Sequence, residues 1–321
     1  MWFRRSTWFA HRPAALRGGA VALLVGLLTA TTAGPAAPAV PSAVRSAVPS
    51  AASADAYWTA DRMRAALPAA PAARRSAPAP RSGPVPPSRP FDGLPQVGTF
   101  FWTDGQGTGR FCGGTVVRSP HRDLVVSAAH CLLSPDSRKK LSFVPQYHDR
   151  LKPHGVFPVE LIYIDQRYHD LGTDGGARWD FTVVRVGERA DGTPVQRAVG
   201  GFDLAVRPGY EHADVRLIGY PGNSDTTYPK PLDCRSWTHR YTSTDPKAPG
   251  DFLEIACAGY VGGTSGGPFL VRGPTGYALI GVIGGYHTGG DFPDVSYSSY
   301  FTEDLLELYL RAVDGEPPAA P

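Results

Sequence analysis

The chain has 321 residues, 42% hydrophobic and 19% charged, which supplies a core for one large domain or two small ones and excludes disorder throughout. Its 37 glycines and 32 prolines, about a fifth of the residues, favour short strands and frequent turns over a helical bundle, coiled coil or solenoid. The net charge of +3 divides unevenly: residues 1–90 carry 11 Lys and Arg against 2 acids, and residues 91–321 carry 21 against 27. The positive excess therefore sits in the leader and gives no argument for a nucleic-acid partner or an anionic membrane.

Arg4, Arg5, Arg12 and Arg17 precede an uncharged apolar run, Ala20 to Leu28, and small residues including Ala37-Pro38-Ala39 follow it. That layout over residues 1–39 predicts a secretory signal peptide and an extracellular destination. The apolar run is well short of the roughly 20 residues that span a bilayer, so no stable membrane insertion is expected once it is removed. Between residues 31 and 90, 31 of 60 positions are Ala or Pro. Residues 40–90 are accordingly expected to be a disordered pro-segment or linker, with one short helix over Asp55–Leu67 and exposed processing sites at Arg74-Arg75 and Arg89.

From residue 91 onward, β-branched and aromatic runs alternate with Gly, Pro, Asp and Asn. The predicted strands are Val97–Trp102, Phe111–Arg118, Leu124–Ser127, Leu141–Val144, Val159–Ile164, Phe181–Val186, Val215–Tyr220, Phe252–Ala256, Tyr277–Gly284 and Ser296–Phe301. So many strands in one segment imply barrels or sandwiches, with room for two. The tail departs from this pattern: Thr302 is placed to cap a helix with Glu303 and Asp304 in its first turn and Leu305, Leu306, Tyr309 and Leu310 as its apolar stripe.

The four cysteines, Cys112, Cys131, Cys234 and Cys257, all fall in this strand-rich part. An even count in an exported chain predicts disulfides, and the simplest of the possible connectivities is sequential, Cys112 with Cys131 and Cys234 with Cys257. No Cys-x-x-Cys pair and no His pair at ligand spacing supports a zinc site, so no metal is expected.

Chemistry-bearing residues concentrate at three places. Ser265 lies in Gly262-Gly263-Thr264-Ser265-Gly266-Gly267-Pro268, where glycines permit a tight turn and close approach of backbone to a ligand. A serine hydroxyl needs an adjacent base to remove its proton, and convergent N–H donors for the oxyanion formed when it attacks a carbonyl. The candidate base is His130, in Ser127-Ala128-Ala129-His130-Cys131, and Asp180, at the head of a β-branched strand, is placed to fix the imidazole tautomer from a buried position. Asp165, Asp170 and Asp174 lie nearby in a polar segment and are read as solvated.

These motifs resemble the secreted bacterial trypsin-like serine proteases of the chymotrypsin fold. Phe111-Cys112-Gly113-Gly114-Thr115-Val116-Val117 is similar to the family's first disulfide strand, Ala128-Ala129-His130-Cys131 to its histidine motif, Asp180 to its aspartate motif and Gly263-Thr264-Ser265-Gly266-Gly267-Pro268 to its nucleophile loop. The resemblance covers about residues 95–313. It implies an all-β domain over 91–321 with two antiparallel barrels, the site between them and one C-terminal helix. It further implies peptide-bond hydrolysis by Ser265, His130 and Asp180, with the N–H groups of Gly263 and Ser265 as oxyanion hole, no cofactor, a peptide or protein substrate and a monomer. Gly281-Val282-Ile283-Gly284-Gly285 resembles the strand on which family substrates pair, which nominates Gly284 and Gly285 as substrate-binding residues.

Two positions depart from relatives. Vertebrate-type members carry Asp immediately before the nucleophile, paired with a newly cleaved amine, and this chain has Thr264. Trypsin itself carries an acid six residues before the nucleophile, and this chain has Gly259, so a Lys or Arg preference is not supported; His287, near the pocket strand, resembles instead the histidine of glutamate-specific relatives. The G-x-S-x-G pattern of α/β-hydrolase esterases also fits, but Gly266-Gly267-Pro268 cannot continue into the helix that fold requires, and no acid lies between Ser265 and His287. The competing functional class is a protease-fold binding protein without catalysis, against which stands the presence of all three candidate residues.

Overall fold

The computed structural model describes residues 50–69, 84–133, 139–222 and 230–318; the expected signal sequence and the Arg74-Arg75 pair lie outside them. Among the described residues no helix is long and apolar enough to cross a membrane.

The first barrel uses β3 (Val97–Thr103), β4 (Gly109–Val116), β5 (Leu124–Ser127), β6 (Lys139–Pro145), β7 (Phe157–Ile164) and β8 (Thr182–Val186) in the order β4-β3-β6-β7-β8-β5. Pairing of β5 back onto β4 closes the ring, so every barrel strand has two neighbours. Phe100, Phe143, Val116, Val126 and Val184 fill it, with the rings of Phe100 and Phe143 4.9 Å apart. A one-turn helix, α3 (Ala129–Leu132), follows β5, and α4 (Gln166–Gly175) joins β7 to β8.

A second antiparallel sheet contains β10 (His212–Gly219), β11 (Leu232–Thr242), β12 (Asp251–Ala256), β13 (Pro268–Gly273), β14 (Gly276–Val282) and β15 (Val295–Ser299), ordered β15-β12-β11-β10-β13-β14. Its ends meet without a ladder: Gly284 N–H donates to Tyr297 O (3.0 Å) and Val282 N–H to Ser298 Oγ (2.9 Å). Val215, Leu217, Leu253, Ile255, Phe269 and Ile280 form its separate core. Between the sheets the chain passes through α5 (Val195–Val199) and β9 (Asp203–Leu204), which lies beside β14. The two disulfides are Cys112–Cys131, within the first barrel, and Cys234–Cys257, within the second sheet.

Each predicted strand is present, Leu124–Ser127 with the expected bounds and the others with shifted ends, and the predicted C-terminal helix is α6 (Glu303–Asp314), capped by Thr302 Oγ1 accepting from Asp304 N–H (3.3 Å). Its expected stripe is corrected. Leu305, Leu308 and Ala312 are buried at a helical spacing of three and four, whereas Leu306 and Leu310 are 37% and 49% exposed. The helix packs on β8, so a chain that has finished the second sheet returns to the first barrel.

The expectation of disorder over 40–90 fails for the described part of that segment. Two helices, α1 (Ala51–Tyr57) and α2 (Ala60–Arg64), replace the single expected helix, each with its own cap, Ser50 and Thr59. Ala54, Trp58, Met63 and Ala66 are buried within the first barrel's hydrophobic cluster. Trp58 lies 5.4 Å from the Phe101 ring, and its Nε1–H donates to Lys140 O (2.8 Å). The low-complexity composition hid four apolar positions that repay ordering by burial. Two short strands follow: β1 (Leu67–Pro68) runs parallel to β4, and β2 (Arg89–Pro90) pairs with β11, so Arg89 lies on a sheet edge.

Trp58→Ala is expected to destabilise the protein by about 3–5 kcal/mol, the range for removing a buried large aromatic side chain, measured by denaturant unfolding of the full chain.

Candidate active site

The turn α3 begins where β5 ends, with Ala128 extended (φ −85°, ψ 144°), and this change of direction carries His130 out of the barrel wall. The neighbouring Cys131 is fixed to Cys112 on β4. Asp180 follows a short 3-10 turn, Ala177–Trp179, and is completely buried. Its flanks are secured on both sides: Phe181 packs edge-on against Phe301, and Trp179 Nε1–H donates to Asp304 Oδ2 (2.9 Å) at the head of α6.

A buried carboxylate is tolerated only with its oxygens satisfied. Asp180 Oδ1 accepts from the His130 backbone N–H (2.8 Å), and Oδ2 accepts from His130 Nδ1 (2.7 Å) and from the Gly285 N–H of the second sheet (2.8 Å). An ionised carboxylate only accepts, which assigns the imidazole proton to Nδ1 and leaves the Nε2 lone pair for another proton. Nε2 faces the Cys131 sulfur at 3.8 Å. Among the described residues it makes no hydrogen bond to Ser265. Cys112, His130 and Cys131 lie close enough to suggest a metal cluster, but both sulfurs are consumed by the disulfide and are not thiolate ligands.

The Ser265 loop is held against the first barrel by its backbone. Gly113 N–H donates to Ser265 O (2.7 Å), and Gly113 adjoins Cys112, whose bridge partner adjoins His130. Gly266 N–H donates to Ile283 O (2.8 Å). Gly266 has φ +76°, and a β-carbon there would stand 2.3 Å from Gly113 O and 2.4 Å from Ser127 Oγ, so only glycine fits. Inside the loop, Thr264 N–H and Oγ1–H both donate to Val261 O (3.3 and 2.8 Å), and Gly267 N–H donates to Thr264 O (3.0 Å). Thr264 thus occupies, fully buried and locally bonded, the position where vertebrate-type relatives carry an acid. The N–H groups of Gly263 and Ser265 have no hydrogen-bond acceptor among the described residues.

Gly284 and Gly285 lie beyond the end of β14 and are wedged against Asp180. A β-carbon on Gly284 would stand 2.9 Å from Asp180 Oδ2, and Gly285 turns at φ +73° into a 3-10 turn over Tyr286–Gly289. The Gly285 N–H serves the carboxylate, the Gly284 N–H donates to Tyr297 O, and β14 itself ends at Val282. His287 also differs from a free pocket histidine: Nδ1 pairs with Asp291 Oδ2 (2.8 Å) and Nε2 with Asp245 Oδ2 (3.1 Å). An acidic substrate side chain would have to displace one of these carboxylates. Burial lowers the His287 pKa, but hydrogen bonds and charge from Asp291 and then Asp245 outweigh it, and the net shift is upward.

One neighbour of the site carried no sequence signal. Tyr168, on α4, is fully buried, and its phenol pKa is pushed far up, first by burial and then by the Asp180 carboxylate it faces. The segment around it is polar and contains Gly172, whose non-helical backbone breaks the helical period. Asp165, expected to be solvated, is nearly buried and caps α4 by accepting from Arg167 N–H (2.9 Å).

Residues 107–280 match the trypsin-like peptidase domain family. No curated protein matches the sequence. Among solved structures, the protease Anisep from Arthrobacter nicotinovorans is similar with TM-score 0.59 and 19% identity over 71% of this chain and 99% of its own. The thermostable serine protease AL20, from an extremophilic microorganism, gives TM-score 0.57 and 23% identity over 68% and 97% of the two chains. A Glu endopeptidase gives 0.51 and 18% over 72% and 98%. At these identities the structural likeness concerns the fold: a closed barrel, a second sheet and a C-terminal helix, as the sequence motifs implied.

Gly266→Ala is expected to cost at least about 1–3 kcal/mol in denaturant unfolding, from the positive φ alone. For His287, whose folded pKa is raised, the stabilisation is fully present below the ordinary value of about 6.5 and is lost as pH rises through the folded value. His287→Gln should therefore lower the melting temperature more at acidic than at alkaline pH.

Proposed function

The chain belongs to the trypsin-like peptidase family, and from that premise we propose that it is an exported serine endopeptidase whose nucleophile is Ser265. The observation that carries this reading is the Asp180 carboxylate, which holds the His130 imidazole by Nδ1 while accepting from Gly285 of the second sheet. His130 Nε2 takes the Ser265 hydroxyl proton as Oγ attacks a peptide carbonyl, and the oxyanion settles on the N–H groups of Gly263 and Ser265. His130 then gives that proton to the leaving amine as the C–N bond breaks. Water, deprotonated by the same Nε2, releases the acyl group and restores the hydroxyl.

This chemistry needs no cofactor or metal. The positive φ of Gly263 (+88°) supports a turn that can aim its N–H and that of Ser265 at one oxyanion, and with Thr264 before the nucleophile the assembly uses no buried ion pair there. Export of a monomer with residues 1–39 removed, and a protease domain over 91–321, complete the proposal. Two disulfides with no free cysteine support an oxidising compartment.

Ser265→Ala should lower kcat for peptide hydrolysis roughly a millionfold and abolish covalent labelling by a serine-directed phosphonate, with thermal unfolding unchanged. Near-parental turnover in that variant would remove the assignment, and a parent chain that is neither labelled nor active would favour the non-catalytic binding protein.

A further inference from the structure

The serine-peptidase reading has a consequence for the segment that precedes the protease domain. The strand β4 is paired with β3 along its length and with β5 at Thr115 and Val116. Its remaining edge, from Arg110 to Gly113, leads to the nucleophile loop, because Gly113 N–H donates to Ser265 O. A leaving amine must meet His130 Nε2, and that atom faces the sulfur of the bridge into Cys112. The half of a peptide that departs with the amine therefore passes along Phe111 and Cys112. Extended peptides bind such an edge by main-chain hydrogen bonds, and the free acceptor there is Phe111 O.

That acceptor is taken. Ala69 N–H donates to Phe111 O at 2.9 Å, and Leu67 and Pro68 run beside Arg110 and Phe111 as β1. The Phe111 ring closes the gap to the oxyanion turn: a β-carbon on Gly263 would stand 2.6 Å from Phe111 Cζ. Pro68 lies against Gly222 on the same wall, where a β-carbon would stand 3.2 Å from its Cγ. The segment is anchored upstream as well. Lys152 Nζ pairs with Asp55 Oδ1 (2.9 Å) and donates to the carbonyls of Asp55 (2.6 Å) and Trp58 (3.3 Å), and Trp58 is inserted in the barrel core.

We propose that Leu67–Ala69 occupies the groove that receives the leaving half of a peptide substrate, so that the chain carries its own competitor for that side of the cleft. This rests on Ser265 being the nucleophile. A tethered strand competes at an effective concentration in the millimolar range, so leaving-side residues of ordinary substrates gain little binding while it is seated. A competitor confined to the leaving side selects against long peptides rather than abolishing turnover.

The test uses the full chain. Ala69→Pro removes the N–H donor, and Pro68 before it already has the extended backbone that a following proline requires; Ala69→Gly keeps the donor and serves as control. Lys152→Met loosens the anchor from the surface, without touching the core. With peptides carrying three residues after the scissile bond, Ala69→Pro should raise kcat/KM about three- to tenfold, the worth of one hydrogen bond. The anilide of the same acyl part should stay unchanged. Lys152→Met should move in the same direction, and Ala69→Gly should match the parent. Calorimetric titration with the product-side tripeptide, which needs no catalysis, should show binding to Ala69→Pro and none to the parent. Equal gains on both substrates, or no gain and no tripeptide binding in either loosened variant, would overturn the proposal. Phosphonate labelling of the parent reports separately on Ser265.

Discussion

A carboxylate shut away from water has to be met by N–H groups, and the way Asp180 meets this demand organises the molecule. Its partners come from both halves of the fold, the His130 backbone and ring from the first barrel and Gly285 from the second sheet. Removing any of them would leave charge without compensation in a place of low dielectric, so the halves are obliged to approach closely there. The close approach in turn forbids side chains on Gly284 and Gly266 and gives those glycines their purpose. Behind Asp180, the edge-on packing of Phe181 on Phe301 and the Trp179 Nε1–H bond to Asp304 in the first turn of α6 keep its strand from retreating.

The strands were legible wherever burial was dense, because β-branched runs such as Leu124–Ser127 can hardly be read otherwise. Besides the two-residue strands β1, β2 and β9, two long strands escaped for different reasons. The strand β11 reads LDCRSWTHRYT, with exposed Arg235, His239 and Arg240 interrupting any apolar run, and β13 follows directly on the Gly-Gly-Pro of the serine loop, where turn residues mask the onset. His130, Asp180 and Ser265 were found as motifs with a chemical reason for each residue type. The surroundings of His287 were not, since Asp245 reaches it from 42 residues away and only folding makes them neighbours.

The Ala- and Pro-rich leader shows how composition misleads when burial is sparse but well placed. Between Ser50 and Ala69 only Ala54, Trp58, Met63 and Ala66 are buried, yet they join a core that already exists and need not build one. Caps at Ser50 and Thr59 satisfy helix ends too short to stand alone. Segment stability here is borrowed from the barrel, which no window of local sequence reveals.

Both covalent cross-links are internal to one half each, Cys112 to Cys131 in the barrel and Cys234 to Cys257 in the sheet. Apart from the polypeptide itself, the halves are joined by noncovalent contacts, among them Gly113 to Ser265, Gly285 to Asp180 and the return of α6 onto β8. The seam therefore rests on hydrogen bonds and packing, with no disulfide across it among the described residues. A reducing agent would accordingly act on each lobe from within and leave the groups that join the lobes chemically unchanged.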